Sequence, residues 1–303
     1  MEKLVASVNV LPEQESGASP SVPAAASVPD GRMGRKNASS SGSLSRKIVS
    51  LAVPPLVVFV LFVALWEIVI RMSGVQPYLF PKPSDIVTAA SENWHNLLVS
   101  VRTTIAEAVL GFALSVVLGV AFAVLLALSK TVERSVYPYA IILQTIPIVA
   151  VAPIIVIWFG AGMNAIVIIA FLIAFFPILS NTLIGLNSTE MNMKNLFYLY
   201  NATKWQTIWR LRIPAALPYI LAGMKISCSL SVVGAIVGEY IAGIGGLQGG
   251  LGYAITVAST RLQTAYLFAC GLTAAVMGIV FFLLINALSN RLLRSWHDSA
   301  INS

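Results

Sequence analysis

Six stretches dominated by apolar side chains run along the chain, and the intervals between them are polar or rich in glycine and proline. The first, residues 48–70 (IVSLAVPPLVVFVLFVALWEIVI), is long enough at about 1.5 Å per helical residue to cross a hydrocarbon core of ~30 Å. Five more follow at about 104–128, 136–159, 165–186, 218–241 and 266–288, so the pattern predicts an all-α integral membrane protein with about six transmembrane helices. The third stretch carries Pro138, Pro147 and Pro153, and the fourth Pro177. Proline persists in a membrane helix where neighbours or water satisfy the freed carbonyls, so these spans are expected to be interrupted or kinked, either around a path or for packing alone.

The intervals differ from one another. Residues 1–45 are rich in Ser, Ala, Pro and Gly and lack the apolar content that offsets ordering entropy; they read as a disordered cytoplasmic tail ahead of a membrane domain at 46–303. No apolar run follows the first residues, so the tail does not read as a signal peptide. After the first span, Pro77, Pro81 and Pro83 introduce an amphipathic segment expected as an outside loop and surface helix, and Glu67, beside Trp66 and near Arg71, suits an interfacial anchor. Between spans five and six lies GEYIAGIGGLQGGLGY, which lacks a Walker Lys-Ser/Thr pair and a preceding strand. That stretch is expected to be a re-entrant or outward-facing gate segment rather than a phosphate cradle. The most basic interval separates spans four and five: Lys194, Lys204, Arg210 and Arg212 fall in it, with no Asp or Glu between Glu190 and Glu239. Pro214 and Pro218 then predict a break before span five begins.

Composition agrees with the pattern: 57% of residues are hydrophobic, 10% are charged, and the mean hydropathy is +0.85. The net charge of +7 is not a nucleic-acid signal, because the basic residues sit between apolar runs rather than on one polar face. With six spans and the N-terminus inside, 14 of the 19 Lys and Arg residues fall in cytoplasmic intervals, which places both termini in the cytoplasm of a plasma-membrane protein. Cys228 and Cys270 lie within apolar stretches and read as small apolar side chains, so neither a disulfide nor a metal site is expected. His95 and His297 are isolated, and no nucleophile, metal-ligand or paired-carboxylate cluster suggests catalysis.

Several of these pieces together resemble permeases of the nitrate/sulfonate/taurine/bicarbonate branch of ABC importers. The resemblance covers the chain from about residue 48 onward. It rests on Pro147, Pro153 and Trp158-Phe159-Gly160, on Phe175-Phe176-Pro177 with Asn181, on Ala202-Thr203-Lys204-Trp205, on Pro214 through Pro218, on Gly234 through Glu239, and on Gly250-Leu251-Gly252-Tyr253. It implies that the basic interval is a cytoplasmic coupling loop whose short helix docks into an ATPase subunit, with Asn195, Asn201, Ala202, Thr203, Lys204, Trp205 and Pro214 as the coupling residues. It implies further a soluble extracytoplasmic solute-binding protein as a partner, a permease homodimer, and no cofactor of its own, ATP being bound by the partner. The chain departs from the family's loop at two places: Asn195-Leu196-Phe197 stands where Glu-Ala-Ala is usual, and Asn201 where Gly is usual. Asn195 lacks a charge that would pair with a basic residue, whereas Asn201 tolerates the left-handed backbone that a helix end requires.

On span five, Lys225, Ser229, Val232, Ile236 and Glu239 recur by steps of three and four and fall near one helical face. Charges in lipid need a bundle interior, a cavity or the interface, so this face is expected to turn toward the translocation path. The competing reading has Lys225 snorkelling to the cytoplasmic surface and Glu239 acting as a structural acid at the outer end. The rival to an importer is an ATP-independent channel or ion-coupled carrier, which would place several ionisable groups inside the bundle; here only Glu107, Lys225 and Glu239 qualify.

Overall fold

The computed structural model describes residues 41–242 and 249–301, with side chains described for 53–242 and 249–293. Residues 1–40 of the expected tail and residues 243–248 of the expected gate segment lie outside the described residues. The chain divides into two units, Met1–Leu56 and Val57–Ser303. In the first, the described structure is the opening part of helix α1 (Ser41–Ser73); the second contains the rest of α1 and every other element.

All described elements are helical: after α1 come α2 (Pro83–Glu92), α3 (Trp94–Ala127), α4 (Lys130–Thr145), α5 (Ile148–Phe159), α6 (Met163–Asn187), α7 (Met191–Leu199), α8 (Lys204–Thr207), a π-helical turn Ile208–Arg212, α9 (Ile213–Ala242), α10 (Leu251–Thr260) and α11 (Thr264–Ile301). Five helical segments are long and apolar enough to cross a membrane singly, and α4 with α5 makes a sixth crossing if the bent pair is counted as one. The expected six-span, all-α architecture is therefore the observed one.

Helix α6 is the centre, with α3 and α9 packed along it. Small residues set that approach. A Cβ on Gly111 of α3 or on Gly234 of α9 would run into Ala170 of α6, so all three helices close on one alanine. Hydroxyls tie the contact further: Ser115 donates to the Phe171 carbonyl at 2.9 Å and Ser227 to the Ala174 carbonyl at 2.7 Å. Glu67 on α1 accepts from the Ser84 amide at 3.1 Å, the Ser84 hydroxyl at 3.0 Å and Arg71 Nε at 2.8 Å. It thus caps the start of α2, in keeping with an anchoring role.

The third span is interrupted, as its prolines lead one to expect, but at only one of the three. Pro138 and Pro153 stay inside α4 and α5, whereas at Pro147 the chain turns by 97°. The proline ring disfavours helical backbone at the residue before it, and Ile146 accordingly sits at ψ 124°. Conversely, the break expected at Pro214 and Pro218 is absent, because a single helical rod runs from Lys204 to Ala242. The π turn just before Pro214 supplies the reason: its wider ring, closed by Ile213 N–H donating to the Ile208 carbonyl, shifts the bonding register where the proline has no N–H to give.

Candidate functional site

The basic loop is built from two short helices joined by a tight turn. Helix α7 buries none of its side chains, and Tyr198, Leu199 and Tyr200 at its end are 76–81% exposed. It closes in a Schellman arrangement: Ala202 N–H donates to the Phe197 carbonyl at 3.0 Å and Asn201 N–H to the Tyr198 carbonyl at 2.9 Å. Asn201 takes φ 51°, the left-handed backbone expected of it. Thr203 then starts α8 with a reciprocal cap, accepting from Gln206 N–H at 3.3 Å while its own N–H donates to Gln206 Oε1 at 2.8 Å. Asn201→Gly is expected to leave the melting temperature of the purified protein almost unchanged, and Asn201→Val to lower stability by about 1–2 kcal/mol, because a β-branched residue resists φ > 0. Equal melting temperatures for the two variants would remove the turn from the argument.

Between α7 and α8 lies a cleft of about 380 Å³ lined by Leu196, Phe197, Tyr200, Ala202, Gln206 and Arg210. Lys204 and Trp205 are exposed beside it, and Asn195 is exposed on α7. Pro214 is the outlier among the expected coupling residues: it lies half-buried in the first turn of α9, beyond the π turn.

Beneath this loop is a polar knot that sequence reading missed. Arg212, half-buried at the end of the π turn, donates to three acceptors at 2.8 Å: Nη1 to the Ala127 carbonyl at the end of α3, Nε to the Leu186 carbonyl near the end of α6, and Nη2 to Asn187 Oδ1. A cation at two helix C-termini meets carbonyls that have no partner within their own helices. Asn187 also receives Lys130 Nζ at 3.0 Å and donates to Glu133 Oε1 at 2.8 Å, and Lys194 of α7 reaches the Asn187 carbonyl at 3.4 Å. Partial burial, with Arg212 and Lys130 nearby, holds the Lys194 ammonium below the ordinary lysine pKa. The residues were visible in the sequence only as positive charges; their convergence depends on how α3, α4 and α6 end together.

On α9 the structure brings together three of the five face residues. Ser229, Val232 and Ile236 line a cleft of about 380 Å³ against Ala274, Gly278 and Phe282 of α11. Lys225 is half-buried, and its ammonium has no hydrogen bond or ion pair among the described residues. Glu239 belongs to a different environment. It is 2% exposed, its Oε1 accepts from Thr104 Oγ1 and its Oε2 from Gly252 N–H, each at 2.6 Å, and Thr104 Oγ1 accepts from Leu251 N–H at 2.9 Å. One carboxylate thereby joins α3 and α9 to the first turn of α10. A Cβ on Gly250 would overlap that carboxylate, so glycine there is a requirement of space. Glu107, one turn along α3 from Thr104, is also buried.

The sequence pattern of the family described as "Binding-protein-dependent transport system inner membrane component" matches residues 115–295. The formylaminopyrimidine transport permease protein of Halalkalibacterium halodurans is 40% identical over 243 residues, 80% of this chain and 95% of that one. The riboflavin transport system permease protein of Chloroflexus aurantiacus is 31% identical over 248 residues, 80% of this chain and 90% of that one. Among solved structures, an inward-facing MetNI methionine ABC transporter shares the fold, with a TM-score of 0.56 and 20% identity across 67% of this chain and 97% of that chain. Similarity also extends to permeases named for aliphatic sulfonates in Bacillus subtilis and for taurine in Escherichia coli. The chain belongs to the inner-membrane components of binding-protein-dependent transport systems, in their nitrate, sulfonate and taurine branch, and is a permease subunit of an ABC importer.

Proposed function

We propose that α7 and α8 dock into a separate ATPase subunit, which binds and hydrolyses ATP, and that two copies of this chain assemble around a path for a small solute delivered by an extracytoplasmic binding protein. The observation that carries this reading is α7 itself: a helix with no buried side chain ends in exposed Tyr198, Leu199 and Tyr200, yet its turn is fixed by two backbone bonds and a capping box. The basic bias supports a cytoplasmic position for this loop and both termini. The apolar surface of α1, exposed along most of its length from Val53, faces lipid or the second copy. Pro214 carries the loop's displacement into α9, and the Lys225 to Glu239 face acts in gating: Ser229, Val232 and Ile236 form the α9–α11 seam, and Glu239 fastens its outer end.

Relatives named for formylaminopyrimidine, riboflavin, sulfonates and taurine support a small solute as cargo. Replacing Lys204 and Trp205 together by Ala is expected to weaken ATPase association at least tenfold while membrane insertion stays intact, since an exposed aromatic and a cation are typical anchors of such a surface. Co-purification from solubilised membranes checks it. Undiminished co-purification together with undiminished transport would move the docking surface elsewhere.

A further inference from the structure

A cavity of about 700 Å³ lies at the bend between α4 and α5, bounded by α6 and by Leu230 of α9. Its depth follows from the helices that wall it. The lining residues of α6 run from Leu172 to Asn181 in a helix spanning Met163–Asn187, and Leu230 lies near the middle of Ile213–Ala242, so the cavity sits at mid-membrane. A helix broken at that depth exposes backbone that lipid cannot satisfy, and broken spans are tolerated where they line a wet cavity. The bend at Ile146 and Pro147 opens onto this one.

The lining offers a specific set of polar groups. The exposed Gln144 side chain makes no hydrogen bond among the described residues. Asn181 commits Nδ2 to the Pro177 carbonyl at 2.8 Å, which leaves its Oδ1 as a free acceptor. Ser180 accepts from the Tyr137 hydroxyl at 3.2 Å and keeps its own O–H to donate. Pro177 has no N–H for the Ile173 carbonyl one turn back, and Ile173 also lines the cavity. The remaining wall is aliphatic apart from Phe176, and none of the lining residues is Asp, Glu, Lys, Arg or His. Lys225 precedes Leu230 by five residues, about 140° round the helix, and so projects from another side of α9.

We propose that this cavity is a cargo site for a small uncharged heterocycle that presents ring nitrogens and an amino or amide group. Transfer of an anion into a wall without a cation is opposed by desolvation, whereas a neutral ring with donors and acceptors exchanges its water for Gln144, Ser180 and Asn181 and lays its faces against Phe176 and the aliphatic wall. The inference deepens the importer reading and rests on it. It selects one chemical class where the relatives' names span both neutral and anionic solutes.

The test uses the complete transporter, permease with its ATPase and binding protein, in liposomes. ATP-driven uptake is measured for labelled formylaminopyrimidine as the uncharged probe and for taurine and nitrate as charged ones. The expected result is uptake of the pyrimidine in preference to the two others, with Gln144→Ala and Asn181→Ala each raising KM about tenfold, the loss of roughly one well-made hydrogen bond to cargo. Ser180→Ala, which removes one hydroxyl, serves as the mild variant, and ATP hydrolysis by each complex controls for assembly. Preference for taurine or nitrate overturns the proposal, as does pyrimidine uptake with KM unchanged in all three variants. ATP hydrolysis without uptake of the pyrimidine also overturns the class. Failure of the permease to associate with any ATPase, with no ATP-dependent uptake, would instead overturn the importer assembly and is read separately from the cargo result.

Discussion

Arg212→Ala is expected to cut ATP-driven uptake tenfold or more while leaving the ATPase bound to the membrane complex. The side chain makes three bonds at 2.8 Å to the ends of α3 and α6, and it stands on the π turn between the α7–α8 loop and α9. Charge-assisted bonds of this kind are each worth about 1.5–3 kcal/mol, and removing the guanidinium strands two carbonyls at once and leaves the Asn187 amide oxygen to Lys130 alone. Because Arg212 does not line the α7–α8 cleft, docking should persist. Under the proposed docking, what is lost is a tie between the ends of α3 and α6, beside which Lys194 of α7 reaches the Asn187 carbonyl. Arg212→Lys should restore part of the uptake, since an ammonium keeps the charge at the helix ends but cannot span three acceptors with a planar fork. Uptake per ATP hydrolysed separates this from simple instability. A variant that melts earlier yet transports with unchanged stoichiometry would make Arg212 a staple and nothing more.

The spans were legible because bilayer thickness leaves only one way to satisfy the backbone, and an apolar run of the right length announces it. The Asn201 turn was legible for a local reason: few side chains accept φ near 51°, and a helix end calls for that conformation. Pro147 and Pro214 show where local reasoning stops. Both residues restrict the backbone in the same way, yet one ends a helix and the other is absorbed by five residues of π geometry. The difference lies in the tertiary setting: Leu211 and Ile208 are buried in the bundle and Arg212 has three acceptors waiting, so the helix is kept continuous where propensity would have broken it. The face on α9 was legible by helical spacing for Ser229, Val232 and Ile236, because they share one neighbour, α11. Helical periodicity placed Glu239 on that face too; the first turn of α10 takes its carboxylate instead.

Glu239 and Gly250 are expected to behave as one unit, and a double-mutant cycle exposes it. Gly250→Ala drives a methyl group into the Glu239 carboxylate, which is fixed from both sides by Thr104 and Gly252 and has nowhere to retreat. Overpacking at so constrained a point should cost about 3 kcal/mol or more. Glu239→Ala leaves the Gly252 amide without its acceptor in a buried site, at about 1–3 kcal/mol. Glu239→Gln should be the mildest, because its amide oxygen still accepts from Gly252 while its NH2 donates to Thr104 Oγ1, whose own proton turns to the Ser100 carbonyl at 3.0 Å. Combined, Gly250→Ala and Glu239→Ala should fall well short of additive: once the carboxylate is gone, the methyl occupies the space it left. The measurement is the thermal or denaturant stability of each purified variant in one detergent. Losses that simply add would mean that the carboxylate moves aside at little cost, and that the fastening of α10 to α3 and α9 is looser than its hydrogen bonds indicate.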